Sequence, residues 1–276
     1  MILWHLIVLA VVQGITEPLP ISSSGHLALF HHILGDNLSE DASIARQVDI
    51  AVHIGTFFAF LVYFWNDVVL LFKGAFAFLT GRFTDPNAKM GLCLVVASIP
   101  AVIAGLLISK MMDPSFFYVL PRLALLFGLF GLLLGVADKV SKNDKGLGEM
   151  TFGRALVFGL AQVLALIPGV SRSGITMTAG RFMGFDRVSA AKFSFLMAMI
   201  ATFGAGVLGT IDVVQAGDYS LGSQYLVAIV CSFVTTLFFT RFLMKWLVTH
   251  AFMVFVVYRV VLCFAIFGAI YLGVLP

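Results

Sequence analysis

Charged residues are scarce in this 276-residue chain, at 11% of the sequence, and that scarcity decides the class of protein. Soluble domains carry about 25% charged residues. Here 61% of the residues are hydrophobic, and uncharged stretches cover 90–109, 193–211 and 221–240. A membrane-spanning helix needs about 20 apolar residues. The composition excludes a water-soluble globular enzyme and predicts an all-α integral membrane protein with several spans.

Cysteine is also rare, and the three cysteines, Cys93, Cys231 and Cys263, all lie in apolar stretches. They are expected to be small core residues, because disulfides and metal sites need paired or clustered cysteines. The net charge of +3 comes from basic residues scattered through loops, so no nucleic-acid partner is predicted. The chain starts with apolar residues, without a basic segment or a cleavage site, which predicts a mature N-terminus.

Two polar interruptions stand out against this apolar background. The first, residues 13–26, holds Glu17, His26, two prolines and three consecutive serines. The second, residues 168–174, reads Pro-Gly-Val-Ser-Arg-Ser-Gly and contains Arg172. Prolines break helices, and titratable groups at membrane depth usually mark functional sites. We expect the two interruptions to meet in one site.

The hydropathy pattern of the chain occurs twice. Residues 1–35 and 152–184 are predicted re-entrant hairpins, and the polar linker 138–149 separates the two halves, 1–138 and 139–276. Three spans are expected after each hairpin, at 48–72, 89–110 and 116–137, then at 188–213, 221–245 and 251–275. An offset of 149 aligns Gln13 with Gln162, Ser22 with Ser171, Ser24 with Ser173 and Gly25 with Gly174. The fold predicted is an internal repeat.

The span count gives the two halves opposite orientations in the membrane. A re-entrant hairpin returns to its own side, and three spans then carry the chain across. The hairpin tips are therefore expected to meet near the membrane midplane, as in other inverted repeats. Of the 17 Lys and Arg residues, twelve fall on one side, three on the other and two inside. The positive-inside rule makes the twelve-residue side cytoplasmic, with both termini outside.

Arg172 is the most informative residue of the second interruption. A guanidinium at depth needs an anion, and it binds phosphate through two parallel hydrogen bonds. Hydroxyls and open backbone N–H groups complete an oxyanion cradle. The cradle residues expected here are Ser171, Ser173, Gly174 and Thr176, with a second cradle at Ser22, Ser24 and Gly25. Two cradles and one arginine suit a ligand with two phosphates; the alternative is that Arg172 only pairs with Glu17.

Glu17 is a candidate general base, metal ligand or counter-ion. Gln13 lies one helical turn earlier, and this oxygen pair suits Mg²⁺ or Ca²⁺. Ser23 and His26 are three residues apart, so a hydroxyl nucleophile beside an imidazole base is expected. His26 protonating a leaving group, or only hydrogen-bonding, stays open.

Three further charged or titratable residues lie in predicted spans. Asp49 is a candidate for orienting His26 or another site group, and His53 is ambiguous. Arg259 is expected to pair with an acid or with backbone carbonyls, and no chemistry is assigned to it.

The two motifs together resemble the undecaprenyl-diphosphatase family of bacteria, also called the bacitracin-resistance family. They are Gln13-x-x-x-Glu17 followed by Pro-x-Pro-Ile-Ser-Ser-Ser-Gly-His, and Pro-Gly-Val-Ser-Arg-Ser-Gly. The resemblance implies a plasma-membrane enzyme that converts undecaprenyl diphosphate to the carrier lipid of peptidoglycan synthesis, with a divalent cation and a site open to the outside. It places catalytic roles on Glu17, Ser23, His26 and Arg172, and metal binding on Gln13 and Glu17.

The chain departs from the family pattern at two positions. Gln13 stands where a second carboxylate is common, which weakens any scheme that needs two acids there. Ser24 stands where many members have threonine, and the hydroxyl is kept. The resemblance leaves open whether Ser23 or an activated water attacks phosphorus, and whether the protein is a homodimer.

Two rival functions remain at this point. A lipid-phosphate transporter would use the same inverted-repeat architecture. An acid-phosphatase-like membrane enzyme would also need a distal His-x-x-x-Asp element, which is absent after Arg172.

Overall fold

A computed structural model describes residues 3–34, 42–111, 119–217 and 222–275. Within these ranges the chain forms eleven α-helices and a short 3₁₀ turn at Leu147–Glu149, and no strand. The all-helical class predicted from the sequence is confirmed for the described residues.

Helices α1 to α6 come before the polar linker, and helices α7 to α11 follow it. The first group is α1 (Leu3–Thr16), α2 (Ser23–Leu34), α3 (Ala42–Tyr63), α4 (Trp65–Leu79), α5 (Pro86–Met111) and α6 (Leu120–Val140). The second group is α7 (Phe152–Leu164), α8 (Arg172–Phe182), α9 (Arg187–Ala216), α10 (Gln224–Thr249) and α11 (Met253–Tyr271). In each group two short helices precede the longer ones.

Five of the described helices, α5, α6, α9, α10 and α11, are long and apolar enough to cross a membrane. The span predicted at 48–72 is not one continuous helix. Helix α3 ends at Tyr63, α4 begins at Trp65, and their axes differ by 82°. Counting this bent pair as one span gives six candidates.

The two predicted interruptions are short breaks between helices. The first separates α1 from α2 at residues 17–22, and the second separates α7 from α8 at residues 165–171. Gly169, in the second break, has φ of +95°, a conformation that glycine adopts at little cost. Each break turns the chain so that a new helix starts beside the site.

Close helix packing surrounds the breaks. Helix α10 packs against α1 and α3, α5 against α7, and α6 against α11. Glycines bring the backbones together: a Cβ added to Gly55 on α3 would lie 2.4 Å from the Ile229 carbonyl oxygen on α10. Small residues of this kind let apolar helices approach closely where water supplies no driving force. All three cysteines are free, and Cys93 is buried.

The polar linker lies folded against the corner between α8 and α9. The backbone N–H groups of Asp144 and Lys145 both donate to the Gly184 carbonyl oxygen. Asp138, at the start of the linker, accepts 2.8 Å hydrogen bonds from Arg181 and from Arg187. The predicted boundary between the halves is therefore attached to the fold by hydrogen bonds and ion pairs, although most of its side chains are exposed.

Candidate active site

The two breaks are in contact, as the sequence predicts. Arg172, the first residue of α8, forms an ion pair with Glu17, the first residue after α1. The Ser173 hydroxyl donates to the carbonyl oxygens of Glu17, at 3.3 Å, and of Leu19, at 3.0 Å. Side chains of the second break therefore hold both the carboxylate and the backbone of the first.

The Glu17 carboxylate has three donors around it. Gln13 Nε2 donates to Glu17 Oε2 at 2.9 Å, Ser23 Oγ donates to the same oxygen at 2.5 Å, and Arg172 Nη2 donates to Oε1. Glu17 is 8% exposed. Charge-assisted hydrogen bonds are stronger than neutral ones, so this set fixes both the carboxylate and the Ser23 hydroxyl.

Ser22 and Ser171 play the same structural role in the two breaks. Both adopt φ values in the left-handed region, +75° and +77°, which is uncommon for residues other than glycine. The Ser171 hydroxyl accepts the Gly174 N–H at 3.1 Å, and the Ser22 hydroxyl accepts the Gly25 N–H at 3.4 Å. These serines cap α8 and α2, and the first residues of both helices face one cavity.

Arg259 on α11 joins both breaks from the opposite side and is 0% exposed. Its five N–H groups donate to five carbonyl oxygens at 2.9–3.2 Å, those of Pro20, Leu126, Phe127, Gly169 and Val170. A guanidinium has five donors, so every one is satisfied. Of the two partners expected for Arg259, an acid or backbone carbonyls, the structure has carbonyls.

A cavity of about 530 Å³ lies at the meeting point of the breaks. Five of the predicted site residues line it: Glu17, Ser23, Ser24, Ser171 and Arg172. Most of the remaining lining is apolar and comes from α5, from α9 and from the start of the second break. The cavity therefore combines a cationic, hydroxyl-bearing end with walls suited to a lipid.

The other five predicted phosphate-binding residues, Ser22, Gly25, Ser173, Gly174 and Thr176, are absent from the described lining of this cavity. Thr176 is 0% exposed and its hydroxyl donates to the Arg172 carbonyl. A Cβ on Gly25 would lie 2.5 Å from the Phe127 ring, so Gly25 gives room for close packing. These residues shape the breaks in the structure, and their contacts with phosphate stay a prediction.

The expected pair of Ser23 and His26 is not formed. His26 Nδ1 lies 2.7 Å from the Ser22 carbonyl oxygen, so this nitrogen is the donor, and Nε2 lies 2.6 Å from the Tyr258 hydroxyl. His26 lines a separate cavity of about 380 Å³, together with Tyr258, Thr16 and Phe30. A motif gives the spacing of two residues along a helix, but not the direction of the imidazole.

His53 and Gln162 are among the residues outside the predicted set that line the main cavity. Asp49 contacts His53 and not His26: its carboxylate lies 3.4 Å from His53 Nδ1. Gln162 could have been found from the internal repeat, because it aligns with Gln13. No sequence signal separates His53 from an ordinary helix histidine, since it lies on α3, outside both breaks.

The residues around Glu17 fit a divalent cation only in part. Gln13 Oε1 is buried without a hydrogen-bond partner in the described part of the chain, and it lies on the side chain that donates to Glu17. No cluster of three or more His, Cys, Asp or Glu side chains suited to a metal occurs among the described residues. Mg²⁺ is often held by one or two carboxylates together with substrate phosphates, so these oxygens fit a cation that substrate helps to hold.

An apolar groove of about 330 Å³ lies beside the main cavity, between α3 and α9. Its lining includes Phe57, Phe58, Phe203 and Gly206. Thr202 lines both the groove and the main cavity, so the two are neighbours. The polar site thus adjoins an apolar path along the helices.

Comparison with known proteins gives one consistent family. A family model described as bacitracin resistance protein BacA matches residues 6–265. Undecaprenyl-diphosphatase 1 of Rhodospirillum rubrum is 38% identical over 276 residues, covering 99% of this chain and 97% of that protein. The undecaprenyl-diphosphatase of Jannaschia sp. is 40% identical over 266 residues, covering 95% and 96%. That of Micrococcus luteus is 38% identical over 272 residues, with the same coverage.

Proposed function

The chain belongs to the bacitracin resistance protein BacA family, and we propose that it is an undecaprenyl-diphosphate phosphatase of the bacterial plasma membrane. The reaction is hydrolysis of undecaprenyl diphosphate to undecaprenyl phosphate and inorganic phosphate, which recycles the lipid carrier and gives bacitracin resistance. The observation that carries this proposal is the Arg172–Glu17 pair at the junction of two helix breaks, in a cavity with apolar walls.

Recognition of the diphosphate begins with Arg172. Its side chain is 20% exposed and lines the cavity, so it can meet an anion while it stays paired with Glu17. Ser24 and Ser171 add hydroxyl donors on the same surface. The N-termini of α2 and α8 also face this cavity, and helix N-termini favour negative charge.

Ser23 is the nucleophile that the geometry supports best. Its hydroxyl donates to Glu17 Oε2 at 2.5 Å, so Glu17 is placed to take the proton as Ser23 attacks the terminal phosphorus. The bond from phosphorus to the bridging oxygen breaks, and undecaprenyl phosphate leaves. Glu17 then gives this proton to solvent. It accepts a new proton from the water that attacks phosphoserine, and it returns that proton to Ser23 Oγ as phosphate leaves. Direct attack by a water held on Glu17 is the alternative; His26, in its separate cavity, supports the first break through Ser22.

Glu17, with Gln13 behind it, would hold a divalent cation, Mg²⁺ or Ca²⁺. A cation bound there would neutralise charge that develops on the phosphate oxygens. Arg172 supplies the same kind of stabilisation from the protein itself. Phosphoryl transfer depends mainly on positioning and charge stabilisation, and the residues at the two breaks provide both.

The architecture proposed for this site is an inverted repeat with two re-entrant hairpins. The equivalence of the breaks supports it: Ser22 and Ser171 share their backbone conformation and capping bonds. Gln13 and Gln162 each carry a buried amide oxygen that has no hydrogen-bond partner among the described residues. Helix α1 packs on α10, and α7 packs on α5. In both cases the first helix of a hairpin contacts the second predicted span of the other half. Charge counting puts both termini outside, and the family resemblance has the site open outward.

The polyprenyl tail is placed in the apolar groove between α3 and α9. A long isoprenoid must leave the polar site and reach lipid without crossing water. The groove begins at Thr202, which it shares with the main cavity, and its lining is aromatic and aliphatic. Because the tail passes from lipid into an equally apolar groove, contact with the groove walls favours this position, and not removal from water.

Phosphate release by the purified protein in detergent micelles tests the function. Undecaprenyl diphosphate is supplied without any membrane or gradient, with and without EDTA. We expect the protein to release phosphate. EDTA should suppress this release, and added Mg²⁺ or Ca²⁺ should restore it. A protein that binds the lipid but releases no phosphate would instead favour the rival transporter, which the equivalence of the two breaks also fits.

A further inference from the structure

Only three titratable side chains line the main cavity within the described residues: Glu17, Arg172 and His53. Glu17 and Arg172 already have roles, as base and as phosphate ligand. His26, the histidine of the sequence motif, lines a different cavity. The imidazole that shares the cavity with the reacting groups is therefore that of His53.

The orientation of His53 is set by Asp49, one turn earlier on α3. His53 Nδ1 lies 2.7 Å from the Asp49 carbonyl oxygen, which can only accept, so Nδ1 carries a hydrogen. The Asp49 carboxylate lies 3.4 Å from the same nitrogen. With Nδ1 engaged, Nε2 is the nitrogen left for a proton exchanged with a ligand in the cavity.

We propose that His53, positioned by Asp49, is the general acid that protonates the leaving undecaprenyl phosphate. This inference rests on the proposed phosphatase function. As the bond between the terminal phosphorus and the bridging oxygen breaks, His53 Nε2 gives its proton to that oxygen. Ser23 Oγ forms the new bond to phosphorus and its proton passes to Glu17. His53 is left neutral and takes a proton from water before the next cycle.

The charges that face His53 suit this role. Asp49, on its own helix, stabilises the protonated ring through the Nδ1 contact. Glu17 lines the same cavity as His53, and its negative charge acts in the same direction. Arg172, on α8, opposes protonation, but its charge is matched by Glu17. A proton donor and a proton acceptor that line one cavity are what acid–base catalysis needs.

The test compares pH–rate profiles of wild type, His53→Gln and Asp49→Asn, with His250→Gln as the matched control because His250 is exposed at the end of α10. His53→Gln should lower kcat about 100-fold, leave KM within a few-fold, and remove the alkaline limb of the profile. Asp49→Asn, at a mostly exposed side chain, should move that limb to lower pH because the protonated ring loses its carboxylate. His250→Gln should behave like wild type.

Each result decides the matter. Wild-type turnover and an unchanged alkaline limb in His53→Gln would overturn the general-acid role while the phosphatase function stands. If His53→Gln does not fold, an unshifted limb in Asp49→Asn overturns the role. An inactive wild type would overturn the proposed function, and this inference with it.

Discussion

Arg259 shows how much one side chain can organise. It is fully buried, and all five N–H groups of its guanidinium donate to backbone carbonyl oxygens and not to an acid. Three of those carbonyls belong to the two breaks, at Pro20, Gly169 and Val170. Breaks in helices leave carbonyls without partners, and a buried unpartnered carbonyl costs about 1–3 kcal/mol. Arg259 removes that cost on both sides of the site at once.

Arg259→Met should therefore destabilise the protein and loosen the site together. Methionine keeps an apolar stem but satisfies none of the five carbonyls, so a loss of about 3 kcal/mol or more is expected. The thermal unfolding midpoint in detergent and the rate of phosphate release should both fall. Arg241→Met, at an exposed position on α10, is the control. A midpoint for Arg259→Met equal to that of the control would contradict this role.

At the residue scale the sequence predicts the chemistry better than the direction of side chains. Glu17, Ser23 and Arg172 were identified by type and context, and the structure brings them together. His26 was expected beside Ser23, but its ring turns toward Tyr258. His53 could not be ranked from sequence, because its importance comes from α3 passing the cavity. Rotamers and helix placement decide such cases, and neither follows from spacing along one segment.

At the scale of helices, glycines allow α10 to approach α3 and α1 closely. Gly55 on α3 and Gly14 on α1 both face α10, and a Cβ on Gly14 would lie 2.6 Å from Thr235. Hydroxyls also meet across the α3–α10 contact. The Thr56 hydroxyl on α3 lies 3.2 Å from the Ser232 hydroxyl and 3.3 Å from the Thr236 hydroxyl on α10. Close backbones and shared hydroxyls are how apolar helices associate without water.

Gly55→Ala should lower stability although alanine is the better helix former. The added methyl would lie 2.4 Å from the Ile229 carbonyl oxygen, so α3 must move away from α10. Overpacking of this kind costs about 1–3 kcal/mol. Gly268→Ala on α11 is the matched control, because a Cβ there meets nothing within 4 Å. Equal unfolding midpoints for the two variants would contradict the close contact between α3 and α10.

At the scale of elements, the sequence predicts the position of long apolar helices better than it predicts the position of breaks and bends. The helices expected at 89–110 and 188–213 are present as α5 and α9, a few residues longer. The 82° bend after Tyr63 was missed, because residues 62–66 contain no proline or glycine to signal it. The first break is shorter than predicted, because α1 continues through Gln13 to Thr16. Packing against neighbours extends or ends a helix where local sequence is neutral.

At the scale of the whole molecule, the internal repeat in the sequence predicts which segments meet, but not the cavities between the helices. The alignment of the two halves led to the expectation that the breaks meet, and the Glu17–Arg172 pair confirms that contact. The cavity walls and the neighbouring groove could not be predicted, since they depend on how α3, α5 and α9 pack around the breaks. A repeat in the sequence identifies equivalent segments but does not give the space between helices.

Gly206→Leu should reveal the groove as the place of the lipid tail. Gly206 lines the groove on α9, and a leucine there would occupy space next to Ile54. Catalytic efficiency on undecaprenyl diphosphate should fall about 10-fold, a loss of about 1.4 kcal/mol. Efficiency on dimethylallyl diphosphate, whose tail is too short to fill the groove, should stay near wild type. Gly268→Leu is the control, and an equal loss on both substrates would argue against the groove.

The central claim is that the site exists only where the two breaks meet, and Arg172 is the residue that joins them. Arg172→Ala keeps α8 and its Ser171 cap but leaves the Glu17 carboxylate without its cation. Phosphate release from undecaprenyl diphosphate by purified Arg172→Ala is the direct test, with the exposed-site variant Arg241→Ala as control. We expect turnover to fall at least about 100-fold in Arg172→Ala and to be unchanged in Arg241→Ala. Near-normal turnover in Arg172→Ala would contradict the claim.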